Sequence, residues 1–368
     1  MSTMSDETRV ADQTRTPQTM RALVLHAPRQ FAVEDVPVPS ALDPEDVLCR
    51  VETTFICGTD PHIINGDFPG FWPPAFPFIP GHEWSATIVD TGPRARSLGW
   101  KPGDRVAAIS HCGCGACRNC LRGRYNLCLN YGHPDRGHRQ YGHITQGAYA
   151  EYVRASVKSL VRVPDGFDLS LAACVDPVSI ALYTVKRSRL QPGDDLLVMG
   201  TGPQGLMAIL IARALGAGRI IAAGSGARLA LAEKLGAVPI DYRADRVLDQ
   251  IRDLTGGLGV PAIVECAGTA KAMRDCCFAA AKGGVISVIG IPHEDIALPM
   301  KHIVLNEIEI IGDRANPNTA QDALSLLVNG RIDLTPLLTH RFPLARFADA
   351  LDTFEHRRDG AVKVAITP

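Results

Sequence analysis

The chain has 368 residues, a formal net charge of -1, 46% apolar residues and 21% charged residues. That length accommodates two domains at roughly 100–200 residues each, and near-neutral charge without basic runs argues against nucleic acid or a membrane surface as partner. No apolar run reaches the roughly 18–20 residues of a membrane span, and the polar opening from Met1 to Thr19 lacks an apolar signal core, so residues 1–19 read as a disordered tail of a cytoplasmic protein.

After the tail, short β-branched runs at Met20 to Leu25, Asp46 to Thr54, Glu83 to Asp90 and Arg105 to Ile109 are separated by turn signals such as Pro102-Gly103-Asp104. This pattern predicts a β-rich, irregular domain. Between them lies Cys57-Gly58-Thr59-Asp60-Pro61-His62, and then Phe68 to Pro80, whose five prolines exclude a helix and predict a segment wrapping the surface near a cleft. Gly81-His82-Glu83 follows. Eleven cysteines occur, and clustered cysteines in a reducing compartment more often hold metal than form disulfides. Cys114, Cys117, Cys120 and Cys128 read C-x2-C-x2-C-x7-C, a spacing that closes four thiolates around one structural zinc, with Gly113, Gly115 and Gly123 permitting the tight backbone. Cys112 is left without a role.

Near Leu171 the pattern changes. Cys174-Val175-Asp176-Pro177 offers a third distant ligand, Asp176, beside Cys57 and the His82-Glu83 pair. A thiolate, an imidazole and a carboxylate leaving one open position are what a catalytic zinc needs. From Asp195 to Met199 a strand runs into Gly200-Thr201-Gly202-Pro203-Gln204-Gly205 and a helix from Pro203 to Leu215. This is G-x-G-x-x-G in strand-turn-helix context: Gly200 for the turn, Gly202 for approach of a pyrophosphate, Gly205 for helix packing, with the helix N-terminus at the phosphates. A strand at Arg219 to Ala223, a helix at Ala227 to Leu235, and strands at Ala262 to Glu265 and Gly284 to Ile289 continue a βαβ rhythm, which predicts a parallel Rossmann sheet. The second strand ends in Gly224-Ser225 where an NAD enzyme carries Asp or Glu. Without that carboxylate a 2'-phosphate is not repelled, and Ser225 and Arg228 can meet it, so NADP(H) is favoured over NAD(H). The chain closes with a helix near Ala320 to Asn329 and a strand at Ala361 to Ile366.

Taken together, Cys57-Gly58-Thr59-Asp60, Gly81-His82-Glu83, the four-cysteine lobe, Gly147-Ala148-Tyr149-Ala150-Glu151-Tyr152 and the glycine-rich turn resemble the zinc-containing medium-chain dehydrogenase/reductase family. The resemblance runs from about Met20 to the end. It implies a GroES-like catalytic domain (20–185, rejoined by 320–368), a Rossmann domain (186–319) and an active site in the cleft between them. It implies a catalytic zinc on Cys57, His82 and Asp176, completed by water or by Glu83, with direct or water-mediated binding by Asp176 left open. Thr59 and His62 match the family's proton relay, and Asp60 its orienting group. The resemblance also supports NADP(H), since NADP-linked members carry Gly-Ser at this strand end, whereas Arg228 matches an arginine of NAD-linked members. Arg314, grouped with the cofactor residues Gly200, Gly202, Pro203, Gln204, Gly205, Gly224, Ser225 and Arg228, is similar to the arginine that polyol dehydrogenases place over substrate hydroxyls. The expected activity is hydride transfer between a secondary alcohol or polyol and NADP(H) or NAD(H). A homodimer or homotetramer holding two zincs per chain is expected. The competing class is a zinc- and nucleotide-binding sensor or structural protein without turnover.

Overall fold

The computed structural model describes residues 16–244 and 246–368. The tail expected at 1–19 lies outside them up to residue 15. Thr19 already opens the strand Thr19–Ala27, which forms an antiparallel hairpin with Gln30–Pro37.

A seven-stranded sheet runs in the order Leu338–Pro343, Lys363–Thr367, Asp46–Phe55, Glu83–Thr91, Arg105–Ala108 and Leu160–Arg162, with Tyr152–Ser156 also paired to Asp46–Phe55. Register does the functional work in this sheet. Phe55 is paired with Glu83, and Ala365 with Phe55. Cys57, two residues past one strand, and His82, one residue before the next, therefore leave the sheet at the same edge. The C-terminal strand delivers Lys363 to that edge as well, with Ile56 N–H donating to Val364 O at 3.0 Å.

A second sheet has six parallel strands in the order Val238–Asp241, Ile220–Gly224, Leu196–Met199, Val260–Glu265, Ala280–Val288 and Glu309–Gly312. All its pairings are parallel. In chain order this is 3-2-1-4-5-6, the doubly wound arrangement in which ligands bind at the carboxyl ends where the strand order reverses. The strands are near-continuous apolar runs because helices cover both faces. The helix Val175–Arg187 joins the two sheets. It buries Val178, Ala181, Leu182 and Val185 in one core with Leu206 and Ile209 of the helix Pro203–Ala214. Asp176 stands in its first turn and is fully buried. Cys174 and Cys112 are buried packing residues. No described helix is long and apolar enough to cross a membrane.

Candidate active site

Ligand atoms of Cys57, His82 and Glu83 all lie within 4.8 Å of one another. Backbone geometry explains why. Asp60 N–H donates to Cys57 O at 3.1 Å, and Cys57 N–H donates to Asp60 Oδ2 at 2.8 Å, so the Cys57 turn is closed on itself. Gly81 sits at φ +95°, and Gly147 packs so closely on the Gly81 carbonyl that any Cβ at 147 would overlap it. The same Gly147-to-Tyr152 motif supplies Tyr149, whose hydroxyl donates to Asp60 Oδ2 at 2.7 Å. Asp60 Oδ1 lies 3.5 Å from His82 Nδ1. Burial pushes the Asp60 carboxyl up, but His82 and the bonds from Cys57 N–H and Tyr149 OH outweigh it and hold Asp60 below the ordinary value. It is thus a carboxylate facing the imidazole ring at ion-pair distance, the usual partner of a metal-bound histidine.

Of the four expected ligands, Cys57, His82 and Glu83 are brought together, and Asp176 falls outside the group within 4.8 Å. The reason is local: Asp176 Oδ1 accepts from Ser110 N–H at 2.8 Å and from Asn316 Nδ2 at 2.9 Å, which ties the carboxyl back. Its Oδ2 is buried with no partner among the described residues, and burial pushes its pKa up to about 6, with His82 lowering it and Glu83 raising it. Glu83 is ion-paired with Lys363, both 1% exposed, and Lys363 Nζ also donates to Ile56 O at 3.1 Å. Nothing in the local sequence signals Lys363, since only sheet register brings it here.

The side chains of Thr59 and His62 bond to different partners. The Thr59 hydroxyl lies 3.4 Å from His143 Nε2. His143 Nδ1 lies 3.2 Å from the Tyr141 carbonyl, which can only accept, so the ring proton is on Nδ1 and Thr59 donates to Nε2. Burial, with His82 beside it, pushes His143 down to about 3. His62 stands at the rim, 2.7 Å from Asp67 Oδ2 and with its ring centre 5.4 Å from that of His293. His143 and His293 escape a sequence reading because neither lies in a recognisable spacing. The Phe68-to-Pro80 segment does line this region: Trp72 stacks with Phe71 and meets His143 edge-on at 4.9 Å. The Arg314 guanidinium lies 4.2 Å from the centre of the Tyr131 ring, whose hydroxyl accepts from Trp72, which places Arg314 beside this aromatic wall.

Cys114, Cys117, Cys120 and Cys128 form the second group within 4.8 Å. Sγ atoms of Cys114 and Cys120 are 3.9 Å apart, and those of Cys117 and Cys128 4.0 Å. A tetrahedron of thiolates at about 2.3 Å from zinc has edges of about 3.8 Å, so the four fit one ion. A Cβ on Gly113 would stand 2.6 Å from Cys120 Sγ, which explains that glycine.

At the glycine-rich turn, Gly200 has φ +105°, Gly205 has no room for a Cβ against Gly200 O, and a Cβ on Gly202 would meet nothing within 4 Å. Gly202 thus opens onto space, and the helix Pro203–Ala214 starts without a side-chain cap, with Gln204 Oε1 buried and unpartnered among the described residues. Uncapped first-turn amides beside an open backbone suit a pyrophosphate. Gly224 abuts Thr201: a Cβ at 224 would stand 2.6 Å from Thr201 Cγ2 and 2.8 Å from its Cβ. Ser225 precedes the helix Gly226–Lys234 and makes no cap bond. Arg228 donates from Nε at 3.2 Å and Nη2 at 2.6 Å to Ala361 O, so much of its donor capacity is spent on the other part of the chain.

Comparison with known proteins accords with this geometry. The family described as alcohol dehydrogenase GroES-like domain matches residues 43–165, and that described as zinc-binding dehydrogenase matches residues 203–329. A sorbitol dehydrogenase of Bacillus subtilis is 33% identical over 355 residues, 96% of this chain and 98% of its own. An L-threonine 3-dehydrogenase of Mesorhizobium japonicum is 33% identical over 351 residues, 93% of this chain and 98% of its own. Among solved structures, an alcohol dehydrogenase from Thermus sp. ATN1 superposes with TM-score 0.87 at 29% identity, covering 95% of this chain and 99% of its own. A zinc-binding dehydrogenase from Sinorhizobium meliloti bound to NADP gives TM-score 0.85 at 29% identity, covering 96% and 100%. The chain belongs to the zinc-containing medium-chain dehydrogenase/reductase family and is a dehydrogenase acting on CH–OH groups.

Proposed function

We propose that the protein interconverts a secondary alcohol or polyol and its ketone, using a catalytic zinc held by Cys57, His82 and Glu83 and NADP(H) in preference to NAD(H). The observation that carries this reading is the meeting of three ligand types, from two separate strand ends, within 4.8 Å. When bound, the metal supplies the Lewis acidity that makes an alcohol acidic, and the dinucleotide supplies the hydride acceptor.

The chain's own groups do the rest. Asp60 orients His82. Asp176, held by Ser110 and Asn316, keeps a buried oxygen beside the ligand set, where it accepts from a water or substrate hydroxyl. His143 takes the Thr59 proton as a hydrogen bond, which leaves the Thr59 oxygen free to accept from the substrate hydroxyl. His62, at the rim with Asp67 and without a hydrogen bond to Thr59 among the described residues, is placed to exchange a proton with solvent. Trp72 and Phe71 exclude water. Cys114, Cys117, Cys120 and Cys128 hold a second, structural zinc. Gly200, Gly202, Pro203, Gln204 and Gly205 seat the pyrophosphate.

Cofactor preference follows from Gly224. Thr201 fills the space a side chain there would need, so no carboxylate stands where a 2'-phosphate would lie, and the uncapped Ser225 hydroxyl can donate to it. Arg228 contributes charge more than hydrogen bonds. Residues 20–185 with 320–368, and 186–319, act as the two domains in this account. Exposed Met300, Val304 and Leu305 near the edge strand Glu309–Gly312 support a homodimer or homotetramer. Nicotinamide absorbance during incubation with secondary alcohols and polyols tests the reading: turnover with NADP exceeding that with NAD is expected, and no turnover with either refutes it.

A further inference from the structure

Past the metal centre, the Trp72 indole N–H donates to the Tyr131 hydroxyl at 2.7 Å, and that hydroxyl donates to Gln140 Oε1, so the Tyr131 proton is committed. Three cationic or imidazole side chains surround its ring. Arg314 lies over it at 4.2 Å, the His138 ring centre is 4.6 Å away and the His111 ring centre 6.5 Å. Each carries a buried nitrogen with no partner among the described residues: Arg314 Nη2, His138 Nε2 and His111 Nε2. His138 is 0% exposed and His111 3%. Three orphan nitrogens around one ring exceed what an ordinary interior tolerates, since each unmet buried group costs about 1–3 kcal/mol.

Two of the three are donors. Gly132 N–H donates to His138 Nδ1 at 3.3 Å, so that ring's proton is on Nε2 and the orphan is a donor. Arg314 can only donate, and no carboxylate ion-pairs with it among the described residues. Its position is fixed from behind: Asn126 of the four-cysteine lobe donates to Arg314 O at 2.7 Å, and Tyr125 OH donates to Asn316 O at 3.2 Å. The cluster is also continuous with the metal centre. Ser110, which holds Asp176 through its backbone, has its hydroxyl 3.2 Å from His111 Nδ1, and Trp72 links Tyr131 to His143 and through it to His82.

We propose that Arg314, His138 and His111 around Tyr131 bind an oxyanion at the far end of the substrate, so that the preferred alcohol carries a carboxylate or a phosphate. The inference rests on the dehydrogenase reading above. It departs from a site for neutral hydroxyls, because a hydroxyl leaves the guanidinium charge uncompensated, whereas an oxyanion accepts from Arg314 and His138 and neutralises it, with His111 adding a third donor when the Ser110 hydroxyl donates to its Nδ1.

The test compares three alcohols on one carbon skeleton: neutral, with a terminal carboxylate, and as a monophosphate. A kcat/KM at least about tenfold higher for either anionic member supports the proposal and says which anion is read. In Arg314→Gln the anionic-to-neutral ratio falls about ten- to hundredfold, and Arg314→Lys recovers part of it. Equal kcat/KM for all three, or an unchanged ratio in Arg314→Gln, overturns the proposal while leaving the dehydrogenase reading standing. Inorganic phosphate binding to the holoenzyme, followed by tryptophan fluorescence, needs no turnover. Saturable quenching lost in Arg314→Gln is expected, and its absence in the wild-type protein, together with no discrimination among the alcohols, overturns the site.

Discussion

Gly224 is where cofactor choice and packing meet, and Gly224→Ala gives a quantitative test. The added methyl would lie against Thr201 Oγ1, 2.6 Å from Cγ2 and 2.8 Å from Cβ. Rotation about χ1 moves Oγ1 and Cγ2 but leaves Thr201 Cβ where it is, so the contact cannot be relieved by a rotamer change. Thr201 is 6% exposed and sits between Gly200 and Gly202. The backbone of the glycine-rich turn must shift, and overpacking of this kind costs about 1–3 kcal/mol. If that cost falls on the dinucleotide-ready form of the turn, the Kd for both NADPH and NADH rises by roughly 5- to 150-fold. Titration by nucleotide fluorescence measures it, and Thr201→Gly in the same chain should restore affinity. Unchanged Kd values in Gly224→Ala refute the steric argument. In the Thr201→Gly background, Gly224→Asp should lower the NADPH preference at least about tenfold by repelling the 2'-phosphate. An unchanged ratio there would discredit the selectivity argument itself.

Lys363→Met in chelator-treated protein leaves Glu83 buried without its counterion, and the expected loss is about 3–5 kcal/mol by urea unfolding, reversed by adding Glu83→Gln; a loss below about 1 kcal/mol would show the pair to be dispensable. Cys114→Ser should release one zinc per chain and expose the lobe to proteolysis while NADPH affinity stays within about twofold, because the lobe braces Arg314 rather than the glycine-rich turn; retention of both zincs would contradict the four-cysteine site. Burial, then the charge of Arg314, pushes His138 down to about 4. The unfolded ring titrates near the ordinary 6.5, so its contribution is present above about pH 6.5 and lost as the pH falls through about 4. Near pH 5, unfolding should take up close to one proton more in the wild-type chain than in His138→Asn, and identical pH slopes of stability would refute this.

The sequence carries those parts of the site that depend on short spacing. The four cysteines, the glycine-rich turn and the Cys57 and His82 segments each sit in a local pattern whose chemistry can be read residue by residue, and the parallel-sheet rhythm follows from apolar runs alternating with helical periodicity. What escapes is set by sheet register and by competition for hydrogen bonds. Lys363 reaches Glu83 only because Ala365 pairs with Phe55, a relation across 310 positions of chain that no local pattern records. Asp176 stands at the expected position in sequence, yet Ser110 and Asn316 occupy its Oδ1, and it lies outside the 4.8 Å group of Cys57, His82 and Glu83. His143 is found only by its contacts with Thr59 and His82. Arg228 carries the residue type that suggests a phosphate contact, and Ala361 O takes two of its five donors.

Metal stoichiometry of Cys57→Ala tests the central claim most directly. Elemental analysis of the purified wild-type chain should return two zincs and that of the variant one, with NADPH binding kept and alcohol oxidation abolished. Two zincs in Cys57→Ala, or turnover surviving the substitution, would mean that the thiolate, imidazole and carboxylate gathered at the sheet edge do not seat the catalytic ion.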